Sequence, residues 1–274
     1  MIDLHLHTNA SDGLLAPEAL VARVAEAGIT VMAVTDHDTV AGIDRAEAAA
    51  AARGIRLIPG IEITAVEDGR DVHVLGYFFD RAHRPLADFL DAQRADRRRR
   101  VREMTARLAA LGMPIDLEAV LARQGAHAVG RPAIADALVR AGYVATRTEA
   151  FDRFLGNDGA AFVPRQGAAV AAVVGVIREA GGLASIAHPG LHRDLALIER
   201  LVDGDGAPDA IEVFHTDHDA AATARLLDLA ERAGILVTGG SDFHGDAAGR
   251  PVGLGRINLP ADRFERFAAK ARPS

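Results

Sequence analysis

The feature that most constrains this chain is an alternation: short apolar runs of strand-forming residues are separated by stretches with helical periodicity. Runs at 2–7, 31–35, 56–59 and 72–78 read as strands, and the pattern resumes at 183–187, 210–214 and 235–238. Helical patterns lie at 17–27, 43–53, 170–179, 196–202 and 220–233. The first opens on Pro17, whose missing N–H costs nothing in a first turn. Strands alternating with helices predict a parallel sheet covered by helices. Seven such strands, with an eighth near 255–259, favour a closed barrel over an open sheet. The stretch 85–163 breaks the rhythm and reads as helices only, at 85–111, 116–123, 132–141 and 146–154. The expected organisation is α/β: a barrel of residues 1–84 and 164–274 with a helical insertion sub-domain of residues 85–163.

Composition removes several function classes. The chain has no cysteine, which excludes disulfide scaffolds, thiolate zinc sites and cysteine nucleophiles. Its formal charge of −7 argues against a general nucleic-acid binder, because phosphate affinity depends on accumulated positive charge. Aromatics at 4%, with no tryptophan, argue against a base-stacking platform. The start of the sequence shows no basic and apolar signal pattern, and no window holds 18 uninterrupted apolar residues. The expectation is a soluble, cytoplasmic protein with no membrane partner.

Eleven histidines carry most of the functional information. His5 and His7 are two apart on a strand, so both imidazoles share one face. Asp12 follows in the next loop. His37, Glu62, His188, Asp242 and His244 fall at or just after strand ends, where a barrel builds its active-site face, and His73 lies within the fourth strand. One buried histidine is more often a hydrogen-bonded core residue than a ligand; the convergence carries the inference. Imidazole and carboxylate without thiolate suit Mn²⁺, Fe²⁺ or Zn²⁺, with Mn²⁺ placed first here. Nine candidate ligands exceed the needs of one ion, which implies two or three divalent ions with bridging carboxylates.

The segments Asp3-Leu4-His5-Leu6-His7-Thr8 with Ser11-Asp12-Gly13, Thr35-Asp36-His37-Asp38, Gly60-Ile61-Glu62, Ala187-His188-Pro189 and Ser241-Asp242-Phe243-His244 resemble the motifs of the PHP (polymerase and histidinol phosphatase) family. The resemblance spans almost the whole chain. It implies a distorted seven-stranded β/α barrel with a trinuclear metal centre at the strand ends. It also implies that His5, His7 and Asp242 hold one ion, that Glu62 bridges it to a second held by His73 and His188, and that Asp12, His37 and His244 hold a third. Gly130-Arg131-Pro132 with Ile134-Ala135, and Phe154-Leu155-Gly156 leading to Val163-Pro164-Arg165, resemble the branch that hydrolyses 3′,5′-bisphosphonucleotides or trims short RNA from its 5′ end. That branch usually reads Arg-Pro-His, whereas Ala133 stands here in place of the histidine.

The chemistry of these residues fits phosphoester hydrolysis by metal-activated water. Asp242, His215 and His218 are the candidate catalytic side chains, the two histidines as proton donors to the leaving oxygen. Arg131 and Arg165 are candidates for gripping a second phosphate, since guanidinium matches phosphate bidentately. Ser241 would donate to a phosphate oxygen. The arginines at 94, 97, 98, 99, 100 and 102 read as a solvated helix face, paired with the interleaved Asp91, Asp96 and Glu103. His83, His127 and His192 read as surface residues, and Asp36 or Asp38 as a partner orienting an imidazole. The expected substrate is a small phosphorylated nucleotide such as pAp, with no stable nucleic-acid partner. The alternatives are a 5′-3′ exonuclease on short oligonucleotides, a histidinol-phosphate-type phosphatase, and a non-catalytic metal-bound regulatory domain.

Overall fold

The computed structural model describes residues 1–123, 130–192, 194–246 and 254–271. Seven strands form one sheet in chain order: β1 (Ile2–Asp3), β2 (Val31–Val34), β3 (Arg56–Glu67), β4 (Arg70–Tyr77), β5 (Leu183–Ile186), β6 (Ala210–His215) and β7 (Leu236–Gly240). The segment after β1 bends the sheet into a nearly closed barrel. Leu4 N–H donates to Gly239 O at 3.1 Å, and Leu6 bridges Phe243 in parallel. The approach needs a glycine, because a Cβ on Gly240 would lie 2.3 Å from the Cβ of His5. Residues 255–259 form no eighth strand: the chain turns at 254–256 and continues without regular structure. Leu259 N–H nonetheless donates to Ile2 O at 3.2 Å.

The expectation of a parallel sheet holds for β1–β3 and for β5–β7, but β4 runs antiparallel to both neighbours. The cause is local. Asp68 and Gly69 join β3 to β4 with φ of 48° and 74°, and two positive values in a two-residue loop are what a tight hairpin requires. Hairpin pairing also lengthens β3 to 12 residues.

Helices α1 (Pro17–Glu26), α2 (Ile43–Ala51), α7 (Val170–Glu179), α8 (Leu195–Asp203) and α9 (Ala220–Ala233) occur in the segments whose periodicity predicts them. A further helix, α10 (Ala261–Lys270), escaped the sequence reading. Its Phe267 is buried and meets the Tyr77 ring edge-on at 5.4 Å. Between β4 and β5 the described chain is helical, through α3 (Arg84–Ala110), α4 (Leu117–Arg123), α5 (Arg131–Arg140), α6 (Arg147–Ala150) and a π-helical turn (Phe151–Leu155). Helix α3 serves two cores. Leu86 and Leu90 pack with the barrel, whereas Val101, Met104 and Leu108 pack with Ile134, Leu138 and Leu155. No helix among the described residues is long and apolar enough to cross a membrane.

Candidate metal centre

At the barrel mouth the nine expected ligands cluster, with Glu62 in contact with five of the imidazoles. One Glu62 oxygen lies 3.0 Å from His37 Nδ1, 3.3 Å from His7 Nε2 and 3.5 Å from His5 Nε2. The other lies 2.8 Å from His73 Nδ1 and 3.2 Å from His188 Nε2. Asp242 Oδ1 is 3.1 Å from His7 Nε2, and Asp12 Oδ1 is 3.2 Å from His244 Nε2. His5 and His7 face inward, while Leu6 between them enters the apolar core.

The frame around these side chains is strained and braced. His188, Asp242 and Asp38 have φ of 29°, 54° and 53°, values that side chains other than glycine adopt only when neighbours enforce them. Asp242 N–H is tied to His5 O at 2.9 Å, and Asp38 N–H to Glu62 O at 2.9 Å. His188 N–H donates to Glu212 at 2.7 Å, and the same carboxylate meets His5 Nδ1 at 3.1 Å. Glu212 thereby fixes a ring and a backbone turn together, an orienting role that the sequence reading missed. Asp36 orients no imidazole; it accepts from Thr8 N–H at 2.8 Å and Thr8 Oγ1 at 2.6 Å, which fixes the loop carrying Asp12.

The donor set fits divalent ions. His5 Nε2, both nitrogens of His7, His37 Nδ1, His188 Nδ1 and Glu62 Oε2 are buried without a hydrogen-bond partner. So many orphaned donors are unusual in a folded interior unless something else completes them. Among the described residues, four groups of ligand atoms lie within 4.8 Å of one another: His5, His7, Glu62 and Asp242; His7, Asp12, His37 and His244; His37, Glu62 and His73; and His5, Glu212 and His215. Burial drives His37 down to about 3, so its imidazole is neutral with a lone pair available. At His5 burial acts the same way, but Glu212, Glu62 and Asp242 overcome it and push the ring well above its usual value.

A second concentration of charge adjoins this centre. Asp12, His37 and His73 line a cavity whose other walls include Arg97, Arg100, Arg131 and Arg165. The reading of the arginine run as a solvated face is therefore half right. Arg94 pairs with Asp91 at 2.5 Å and Arg99 with Asp96 at 2.6 Å, as helical spacing predicts. Arg97 and Arg100 instead turn inward and are buried. Arg97 bonds Asp38 at 2.5 Å, so Asp38 holds a cation and not an imidazole. Arg131 lies 3.2 Å from Asp71, which is also 3.5 Å from Arg165. Arg165 is 5% exposed, yet its Nε and one terminal nitrogen have no hydrogen-bond partner. Burial, then repulsion from Arg165, lowers Arg100 to about 10, a sign of more positive than negative charge in the pocket.

The remaining candidates separate. His215 is buried with its ring centroid 5.7 Å from His188; its Nδ1 accepts from Asp217 N–H and its Nε2 has no partner. His218 has both nitrogens engaged, Nε2 accepting from Gly190 N–H at 3.0 Å and Nδ1 donating to Val213 O at 2.8 Å. Ser241 is buried, its N–H on Asp3 at 2.9 Å, and does not line the cavity. Ala133 does not line it either; it is buried in the helical core. His83 and His192 are half-buried where surface positions were expected, and His127 lies outside the described residues.

Comparison with known proteins agrees with this picture. The PHP domain family matches residues 3–93. The chain is 37% identical over 248 residues to the 5′-3′ exoribonuclease Rnm of Salmonella typhimurium, covering 88% of this chain and 84% of that protein. It is 35% identical over 257 residues to the 3′,5′-nucleoside bisphosphate phosphatase of Chromobacterium violaceum, covering 92% and 90%. A crystal structure from Bifidobacterium adolescentis, described as a metal-dependent phosphoesterase, superposes with a TM-score of 0.87 at 34% identity, covering 99% of this chain and 96% of that one.

Proposed function

This chain belongs to the PHP domain family, and from that premise we propose that it is a metal-dependent phosphoesterase converting a 3′,5′-bisphosphonucleotide such as pAp into AMP and phosphate. The observation that carries the reading is the shared cavity, in which a histidine and carboxylate centre adjoins four guanidinium groups. Two anion-seeking sites in one cavity suit a substrate with two phosphates.

In this reading His5, His7 and Asp242 would hold one ion, Glu62 with His73 and His188 would serve a second, and Asp12, His37 and His244 would hold a third. Mn²⁺ is the first choice, with Fe²⁺ or Zn²⁺ served by the same donors. Bound ions lower the pKa of coordinated water toward neutrality and offset phosphoryl charge. Arg97, Arg100, Arg131 and Arg165 hold the phosphate that does not react, while Val101, Met104 and Phe151 give the base an apolar wall. His215 is the proton donor to the leaving oxygen: its Nδ1 accepts a backbone N–H, which leaves the proton on the unpartnered Nε2. His218 has no free nitrogen for that role. The insertion of residues 85–163 supplies three of the four arginines to the barrel of residues 1–84 and 164–274.

The identity to exoribonucleases supports a second reading, removal of nucleotides from the 5′ end of a short RNA. The same pocket would hold the terminal 5′-phosphate and the same centre would face the next ester. A rate panel with the Mn²⁺-loaded enzyme decides between them, using pAp, 3′-AMP, 5′-AMP, histidinol phosphate and a five-nucleotide 5′-phosphorylated RNA. The expected order places pAp first; faster release of mononucleotide from the RNA promotes the nuclease reading.

A further inference from the structure

The geometry points to Thr64 as the residue that reads the sugar of the substrate, selecting ribonucleotides over 2′-deoxyribonucleotides. The inference rests on the reading above, with the reacting phosphate at the metal ligands and the other among the arginines.

Thr64 follows Glu62 by two residues on β3, so the two side chains share a face about 6.5–7 Å apart. Across the ladder it sits opposite His73. It lines the same cavity as His37, His73, Arg97 and Arg165. Its backbone is pinned on both sides: the N–H reaches Asp38 Oδ1 at 3.4 Å, and the carbonyl accepts from Gln93 Nε2 at 2.9 Å. The side chain is 1% exposed, yet its Oγ1 has no hydrogen-bond partner. A buried hydroxyl is rarely left unpaired unless a ligand completes it.

The chemistry of the substrate names the completing group. A 3′,5′-bisphosphonucleotide has both of those sugar oxygens esterified, so its one free sugar hydroxyl is the 2′-OH, beside the reacting 3′ position. That hydroxyl both donates and accepts, as threonine does, so the pair forms in either direction. The phosphate oxygens already have the metal centre and the guanidinium groups as partners. A deoxynucleotide would leave Thr64 unpaired.

The test is the ratio of kcat/KM for pAp to that for 2′-deoxy-pAp, measured with the Mn²⁺-loaded full chain as wild type, Thr64→Val and Thr64→Ser. Valine keeps the shape and removes a hydroxyl that is unpaired in the free protein, so its melting temperature should hold. Wild type should favour the ribonucleotide about tenfold, the size of one lost neutral hydrogen bond. Thr64→Val should bring the ratio close to one, and Thr64→Ser should preserve it. A wild-type ratio near one overturns the inference while leaving the bisphosphate reading intact. A ratio that survives in Thr64→Val overturns it too and places the reader of the 2′-hydroxyl elsewhere in the cavity. If wild type hydrolyses neither nucleotide, the functional reading falls and this inference with it. Should Thr64→Val fail to fold, loss of the ratio in Thr64→Ser would count against the proposal and its retention would support it.

Discussion

The metal centre and the arginine pocket share one cavity but are assembled in opposite ways. The centre takes its side chains from strands and strand ends spread from His5 to His244, and one carboxylate, Glu62, touches five imidazoles. The pocket takes Arg97 and Arg100 from α3, Arg131 from the start of α5 and Arg165 from the loop before α7, and Asp38 and Asp71 already neutralise part of its charge. In the centre each side chain would contribute to a shared ion site, so removing one should disable the unit. In the pocket several cations share one task, so removing one changes affinity by degrees.

The largest test of that contrast is Glu62→Ala. Turnover of pAp should fall by about a thousandfold or more, with metal content below that of wild type and little change in the far-ultraviolet spectrum. Retained turnover would mean the ions do not depend on their central bridge. Elemental analysis of wild type grown with Mn²⁺ should find more than one equivalent per chain, and a fully active enzyme with one or fewer would end the multinuclear reading.

Next comes Arg165→Ala or Arg131→Ala, each expected to raise KM for pAp by about ten- to a hundredfold, as for a lost charge-assisted contact. KM for 3′-AMP should rise far less. Equal effects on both substrates would assign these arginines to folding. Glu212→Gln belongs to the centre but touches no ion in this reading. It should weaken Mn²⁺ binding about tenfold by chelator competition, a typical cost when a carboxylate no longer orients a ligating ring. The smallest effect has the opposite sign. Asp71→Asn removes an internal competitor for the guanidinium groups and should lower KM for pAp by about two- to threefold, in keeping with the modest worth of a partly exposed ion pair. A raised KM would make Asp71 a brace for Arg131.

The sequence made the candidate centre legible because histidine and carboxylate at strand ends have few other uses, and these side chains do cluster. It concealed what depends on partners. Glu212 sits inside the apolar run Ala210–His215 and looks like an isolated polar residue until His5 arrives from the far end of the chain. The reversal of β4 was readable, since Asp68-Gly69 is a strong hairpin dipeptide, but the alternation of strands and helices drew attention away from it. Arg97 and Arg100 were also readable: they share a helical stripe with the buried Gln93, Val101 and Met104, whereas Arg99 and Arg102 lie off it. Ala133 could not be judged from motif position, because its direction depends on how α5 packs. In the structure it is buried in the helical core.

The β3–β4 hairpin has a consequence for how the protein reaches its working state. Glu62, Thr64, Asp71 and His73 all lie between Arg56 and Tyr77, so this edge of the cavity depends on contacts that are short in sequence and carry a small entropic cost of closure. His5 and Asp242 meet only when the two ends of the chain come together. Folding should therefore raise part of the ion site early and finish it last, and pulsed hydrogen exchange would see amides of the hairpin protected before the Leu4 amide that seals the barrel. Ions that bridge the two sets of ligands would then act as a latch on the final closure, making the unfolding rate of the loaded protein a direct report on its seam.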